Sequence, residues 1–225
     1  MPLSSCTACP RLAAFLAATR DRHPGYFCKP VPPFGDADPR LFIVGLAPGL
    51  HGANRTGRPF TGDHAGILLY ETLHAFGYAS RPVSTAADDG LVLSGCRISN
   101  AVKCLPPENK PEPAEIKRCN AYLKAELAGL AGGAVLLALG QVAHKAVLLA
   151  LGLKQNAHPF EHGAVHALAD GRRLYDSYHC SRYNTQTRRL TAEMFHAVFQ
   201  RIQEDSPCPS SPSSSPAASA ASRKN

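Results

Sequence analysis

The segment 45–63, GLAPGLHGANRTGRPFTGD, combines glycines with cationic and aromatic side chains, and we call it the glycine-rich loop. Glycines let a backbone approach a ligand closely. Arg55 and Arg58 are suited to binding phosphate, and Phe60 offers a face on which a ring can stack. The loop lacks both the G-x-G-x-x-G and the G-x4-G-K-[ST] patterns, which argues against the nucleotide-binding folds that carry them. A ligand-binding loop and a simple turn both remain open on these residues.

A second polar segment, residues 179–190, reads HCSRYNTQTRRL, and we call it the arginine segment. In this segment His179 is followed by three cationic side chains, Arg182, Arg188 and Arg189. This composition suits a loop that faces an anionic polymer. The alternatives are a structural histidine and the solvated start of a helix.

Four of the eight cysteines have a spacing that suits metal ligation, and we call them the cysteine site: Cys6, Cys9, Cys104 and Cys119. A C-x2-C turn and two ligands from a distant strand–helix unit can close a site around a [4Fe–4S] cluster or a zinc ion. Spacing does not choose between these two, and buried core thiols are a simpler alternative. Three further cysteines stand alone and are interpreted as structural: Cys28, Cys96 and Cys180.

The charge and the first residues of the chain narrow the class of protein. A formal net charge of +7 and a pI of about 9.1 weakly favour an anionic partner. The start, MPLSSCTACP, has no secretory pattern, and no segment approaches the ~20 apolar residues that span a bilayer. We therefore expect a cytoplasmic protein with reduced cysteines and without membrane association.

Apolar runs and helical periodicity alternate along residues 1–205. Short buried strands are predicted at 41–48, 96–104, 134–140 and 173–179, and helices at 63–76, 113–130, 141–151 and 187–202. This alternation predicts a single α/β domain, with a central, mainly parallel four-stranded sheet and helices on both faces. Ligands of such sheets bind at the carboxyl ends of the strands, where the glycine-rich loop and the arginine segment both begin. Residues 206–225, rich in Ser, Pro and Ala, are predicted to form a disordered tail.

Together these segments resemble the uracil-DNA glycosylase superfamily, and most closely its fifth family, the type B uracil-DNA glycosylases. The resemblance rests on the glycine-rich loop, on SNAVKC at 99–104, on HCSRYN at 179–184 and on the cysteine site. It covers roughly residues 6–201. It implies a uracil-DNA glycosylase-like catalytic domain that hydrolyses the base–sugar bond of uracil flipped out of DNA. It also implies a [4Fe–4S] cluster on the cysteine site and activity on hypoxanthine and ethenocytosine.

The resemblance also implies roles for individual residues around the base. Ala47 and Phe60 are expected to contact the flipped base, with Phe60 stacking on it. Asn100 is expected to match the donor and acceptor edge of uracil with its amide. His179 is expected to donate a hydrogen bond to uracil O2 as negative charge grows on the leaving base.

Ala47 is where the sequence departs from the wider superfamily. Most members have Asp, Asn or Glu at this position, near the attacking water. The type B enzymes, like this sequence, lack such a residue there. An alanine cannot accept a proton, so general-base catalysis at this position is excluded. We expect Asn54 to position the water, with Asp63 or a backbone carbonyl as alternatives.

DNA that contains uracil is the expected partner. We expect the protein to act as a monomer on double-stranded DNA in the nucleoid. Five arginines are expected to contact its phosphates: Arg55, Arg58, Arg182, Arg188 and Arg189. Three alternatives stay open. They are a non-catalytic iron–sulfur protein that binds lesions, a fourth-family uracil-specific glycosylase, and a nucleotide-binding regulator that uses the glycine-rich loop.

Overall fold

The computed structural model describes residues 2–205, and the predicted tail at 206–225 lies outside them. One six-stranded sheet organises this part of the chain, in the order β1-β3-β2-β4-β6-β5. Its strands are β1 Phe34–Gly35, β2 Leu41–Gly45, β3 Cys96–Asn100, β4 Val135–Leu139, β5 Val165–Ala167 and β6 Arg173–Ser177.

The predicted α/β class is confirmed, whereas the predicted number of strands is wrong. The four predicted strands form the parallel centre of the sheet, β3-β2-β4-β6. Two short strands, β1 and β5, add antiparallel edges to β3 and β6. With two and three residues, the edge strands are too short to show a periodic pattern in the sequence.

Within residues 2–205, seven α-helices surround the sheet, and four of them overlap the predicted segments. They are α1 Pro10–Arg22, α2 Ala53–Thr56, α3 His64–Ala75, α4 Pro113–Ala128, α5 Gln141–Leu151, α6 Arg182–Gln186 and α7 Ala192–Asp205. Asp63 caps α3, because its carboxylate accepts a hydrogen bond from the Gly66 N–H. The helix predicted at 187–202 corresponds to α7, which begins five residues later than predicted, and the short α6 lies before the predicted segment. No helix within residues 2–205 has both the length and the apolar character that crossing a membrane requires.

The helices cover both faces of the sheet, as predicted. On one face, Ile43 of β2 packs in a cluster with α3 and α7, including Leu69 and Phe195. On the other face, Phe42 packs in a cluster with α4 and α5, including Leu123 and Val147. Each face buries a continuous apolar layer, so the strand ends are held rigidly relative to one another.

Helix α1, which the sequence analysis did not predict, connects the amino terminus to α4. Cys9 precedes α1, and Pro10 occupies its first turn, where the missing N–H has no cost. Arg11 makes a bidentate ion pair with the buried Glu115 of α4, with N–O distances of 2.8 and 2.7 Å. This ion pair brings the first turn of α1 to α4, the helix that carries Cys119.

Candidate active site at the carboxyl end of the sheet

An open cleft lies where β2, β3 and β6 end, and five of the predicted site residues line it together. Asn100 ends β3, His179 follows β6, and Phe60 comes from the glycine-rich loop after β2. Ala47 and Asp63 also line the cleft. The prediction that these residues meet where the strands end is therefore correct, although Phe60 and His179 are more than a hundred positions apart in the chain.

The close approach of Asn100 and Phe60 depends on Gly45. A Cβ atom at Gly45 would lie 2.5 Å from Asn100 Oδ1 and 2.5 Å from Phe60 Cζ, so no larger residue fits. Asn100 is 3% exposed, and its Oδ1 has no hydrogen-bond partner among the described residues. A buried amide oxygen without a partner carries a desolvation cost, and a ligand donor that pairs with it removes that cost.

Phe60 is held in an uncommon backbone conformation beside His179. Its φ of 55° lies in the left-handed region, which is unfavourable for an aromatic residue. The next residue, Thr61, is anchored by hydrogen bonds to Ser84 (2.8 Å) and Tyr70 (3.4 Å). The ring of Phe60 lies 5.8 Å from that of His179, at an angle of 29°. Local strain of this kind persists where the surroundings fix the side chain for a function.

His179 is positioned as a neutral imidazole. Desolvation lowers the pKa of His179 to about 4, so the ring is uncharged at neutral pH. Its backbone carbonyl accepts a hydrogen bond of 2.8 Å from Asn184 Nδ2, which ties the start of the arginine segment to α6. A neutral imidazole still donates one N–H, and it does not bring a full positive charge to the cleft.

Asp63 and Asn54, the two side chains considered for the water, lie in different places. Asp63 lines the cleft, and desolvation raises the pKa of its carboxyl group although the Gly66 N–H opposes the shift. Asn54 is fully buried on α2, and its Nδ2 donates to Cys28 Sγ at 3.5 Å. The side chain of Asn54 is not among those that line the cleft.

The structure corrects the role predicted for Arg58. Its guanidinium is buried and pairs with Asp89 at 2.7 Å, and it also donates to Ser84 Oγ and Ala87 O. It lies 4.3 Å from the centre of the Phe34 ring. With its donors engaged inside the protein, Arg58 is not available to DNA phosphates.

The other four predicted arginines are exposed: Arg55, Arg182, Arg188 and Arg189. Arg182 lines the cleft directly. Arg189 lies 4.6 Å from the centre of the Tyr178 ring, which orients its charge on the surface next to His179. These positions leave cations around the mouth of the cleft.

Tyr183 is a further candidate site residue, which the sequence analysis missed. It is 69% exposed on α6, next to Arg182, and is among the large apolar side chains that the described part of the chain leaves most exposed. An aromatic ring between a histidine and a run of arginines was the available signal in the sequence.

The four predicted ligands of the cysteine site line one cavity, together with apolar side chains of Leu3, Leu12, Val102 and Tyr122. The Lys103 N–H donates to Cys119 Sγ at 3.3 Å. Burial and the neighbouring thiols raise the pKa of Cys104 to about 12. Cys28, Cys96 and Cys180 are buried elsewhere, in agreement with a structural role.

Comparisons with known proteins agree with this arrangement. The family model of the Uracil DNA glycosylase superfamily matches residues 32–203. The chain is 48% identical to the type-5 uracil-DNA glycosylase of Thermus thermophilus over 206 residues, which cover 89% of this chain and 94% of that protein. It is 41% identical to the type-5 enzyme of Pyrobaculum aerophilum over 92% of this chain and 91% of that one. A type-4 uracil-DNA glycosylase of Thermotoga maritima is 36% identical over 48% of this chain and 49% of its own length.

Proposed function

The chain belongs to the uracil DNA glycosylase superfamily, and we propose that it hydrolyses the bond between uracil and deoxyribose in DNA, which initiates base excision repair. The observation that carries this proposal is the unpaired amide oxygen of Asn100, buried in a cleft beside Phe60 and His179. Such a constellation matches a flat ring with a donor and acceptor edge.

The cleft is suited to a nucleotide outside the duplex. The atoms of a paired base are out of reach, so the enzyme must extrude the nucleotide at a cost of a few kcal/mol. Stacking on Phe60 returns about 1–3 kcal/mol. Asn100 Oδ1 then accepts a hydrogen bond from uracil N3–H, and its amide N–H donates to uracil O4.

His179 supports departure of the base. Its neutral ring donates a hydrogen bond to uracil O2, where negative charge develops as the glycosidic bond lengthens. A donor that is already in place is effective because it does not have to reorganise during the reaction. Because Ala47 offers no carboxylate at the superfamily's usual position, departure of the base dominates over attack by water.

Asp63, rather than Asn54, is our candidate for positioning the water. It contributes a carboxylate to the cleft, whereas the Asn54 amide is buried against Cys28. We expect Asp63→Asn to lower the single-turnover rate of uracil excision more than Asn54→Ala does, with both rates corrected for the folded fraction. The reverse order would return the role to Asn54.

DNA binds across the mouth of the cleft in this proposal. Arg55, Arg182, Arg188 and Arg189 neutralise phosphates, and exposed Tyr183 fills the space that the extruded base leaves in the stack. Double-stranded DNA is the substrate for which such a filling residue is useful, and we propose that a monomer binds it.

A wider range of bases is a further part of the proposal. In another rotamer, the amide of Asn100 presents its donor and acceptor to hypoxanthine, and its N–H alone can donate to ethenocytosine, whose edge carries acceptors. We expect release of both bases from labelled duplexes at rates below that of uracil. Absence of both products, with uracil released normally, would restrict the enzyme to uracil.

We propose that the cysteine site holds a [4Fe–4S] cluster. Four thiols around one cavity, with an N–H donor to Cys119 Sγ, form a donor set that fits such a group. Within residues 2–205, the side chains close enough to share a single ion are His144, His166 and Asp176, and the cysteines are not among them. The wider spacing of the four thiols favours a group larger than a single zinc ion. When bound, the cluster ties the amino terminus to the end of β3 and to α4.

Metal analysis tests the cluster. Purified protein should be brown, with about four irons and four labile sulfides per chain. Cys104→Ser should lose iron and melt at a lower temperature, whereas Cys96→Ser should keep its iron. Full activity of a protein that holds zinc alone would overturn the assignment.

The central experiment measures release of free uracil from a labelled duplex containing U opposite G. The wild-type protein should release uracil, and Asn100→Ala should lose most of the rate while retaining its fold. Binding without release would favour the alternative of a non-catalytic lesion-binding protein. A fourth-family assignment is disfavoured because the similarity to a type-4 enzyme covers about half of the chain, whereas the type-5 similarity covers about nine-tenths.

A further inference from the structure

A buried polar cluster lies on the other side of β6 from the cleft, and no step of the proposed reaction uses it. It consists of His144 on α5, His166 on β5 and Asp176 on β6, and we call it the histidine–aspartate cluster. Asp176 and His144 are almost completely buried, and the side chain of His166 is 11% exposed. Their three ligand atoms all lie within 4.8 Å of one another.

The ring of His144 lies between two hydrogen-bond acceptors. Its Nδ1 faces Asp176 Oδ1 at 2.8 Å, and its Nε2 faces the His158 carbonyl oxygen at 2.9 Å. Both partners are acceptors, whereas a neutral imidazole has one N–H to donate. A neutral His144 would therefore leave one buried contact without a hydrogen, and a positive charge between His144 Nδ1 and the carboxylate removes the conflict.

We propose that the histidine–aspartate cluster binds a divalent transition-metal ion of the zinc class. The ligands are His144 Nδ1, His166 Nε2 and the Asp176 carboxylate, whose second oxygen lies 3.1 Å from His166 Nε2. Two imidazoles and one carboxylate form a donor set that zinc accepts, with water in the fourth position. The partial exposure of His166 leaves a route for that water.

The surroundings of His144 match those of a metal-bound histidine. Such histidines usually donate their other ring N–H to a carbonyl or carboxylate, which fixes the ring and its tautomer. His144 Nε2 and the His158 carbonyl make this contact. Tetrahedral bonds of ~2.0–2.1 Å place ligand atoms about 3.3 Å apart, so the N–O distances need to open by only a few tenths of an ångström.

The ion would join three elements at the end of the sheet that carries His179. One ligand comes from each of three elements: helix α5, the short edge strand β5 and the end of strand β6. Asp176 lies three residues before His179 in the chain. The proposed site is therefore structural, is separate from the cysteine site, and is independent of the proposed glycosylase activity.

Cobalt binding by the full-length protein tests the site, because the absorption of Co²⁺ distinguishes its ligands. After mild chelation that leaves the cysteine site loaded, the wild type should take up about one Co²⁺ per chain, with no thiolate-to-metal charge-transfer bands. Zn²⁺ should displace it. Zn²⁺ should also raise the melting temperature, since it binds the folded state.

Two variants and one control complete the test. Asp176→Asn and His166→Gln should each lose this equivalent of Co²⁺ and the response of the melting temperature to Zn²⁺. His166→Gln serves if Asp176→Asn does not fold, because His166 is the more exposed ligand. His74→Gln, a histidine on α3 outside the cluster, should behave as the wild type. A wild type without this cobalt, or uptake unchanged in both variants, would overturn the proposal and leave the three side chains as an internal hydrogen-bonded cluster.

Discussion

The glycine-rich loop and the arginine segment look alike in the sequence, since each combines arginines with an aromatic residue, yet the fold uses them differently. In the glycine-rich loop Arg58 and Phe60 are buried, and the loop shapes the wall of the cleft. In the arginine segment Arg182 and Tyr183 are exposed at its mouth. The comparison teaches that one loop builds the site for the base, whereas the other presents charge to DNA.

The largest expected effect separates the two classes of arginine. Arg58→Ala should lower the free energy of unfolding by about 3 kcal/mol, because it removes a buried guanidinium and the hydrogen bonds that it donates to Asp89, Ser84 and Ala87. Arg182→Ala should change it by no more than about 0.5 kcal/mol, as is usual at exposed positions. Urea unfolding of both variants measures the difference. Equal stability would mean that the Arg58–Asp89 pair is not what holds the loop.

Lowering the pH should remove the stability that the same ion pair contributes. Desolvation raises the pKa of Asp89, but hydrogen bonds from the Leu91 N–H and from Arg58 outweigh it and hold the pKa below its ordinary value. The stability that Asp89 contributes is therefore present above pH ~4 and is lost as the pH falls further.

His179→Ala tests the chemical role of the cleft. Without the donor to uracil O2, the single-turnover rate of excision should fall by about 10²–10³-fold. DNA affinity should stay within a few-fold, because phosphate contacts supply most of it. His74→Gln is the matched histidine control and should excise normally. A rate near that of the wild type in His179→Ala would show that another group supports the leaving base.

Arg182→Ala sharpens the assignment of the arginine segment to DNA. We expect weaker binding of any duplex and a salt dependence, log K against log [salt], that is shallower by about 1. The rate at saturating enzyme should change little. If the slope is unchanged, Arg182 does not contact a phosphate, and the DNA follows a different surface.

The smallest expected effect is the response of excision to pH. Because the pKa of His179 is about 4, its donor should remain neutral from pH 8 to 5, and single-turnover rates should show no fall near pH 6.5, the ordinary value for histidine. Between 6.5 and 4 the unfolded chain binds a proton that the folded chain does not, so this group reduces stability as the pH falls. A clear loss of rate centred near pH 6.5 would contradict the desolvated environment of His179.

The sequence by itself determined the parallel centre of the sheet, both predicted loops and three of the residues that meet in the cleft. Buried strands are short apolar runs, and the carboxyl ends of parallel strands share one edge, so Phe60, Asn100 and His179 were predictable neighbours. The cysteine spacing likewise located one cavity, because ligands of a compact group must converge.

Only the tertiary structure decided which polar residues face inward. Arg55 and Arg58 are three positions apart in one loop, yet only Arg58 is buried, where it pairs with Asp89 from 31 residues further along the chain. Asn54 is turned towards Cys28, and the histidine–aspartate cluster joins three elements whose sequences carry no shared motif. Burial is a property of what packs against a residue, so long-range contacts determine it and local patterns of residue type do not.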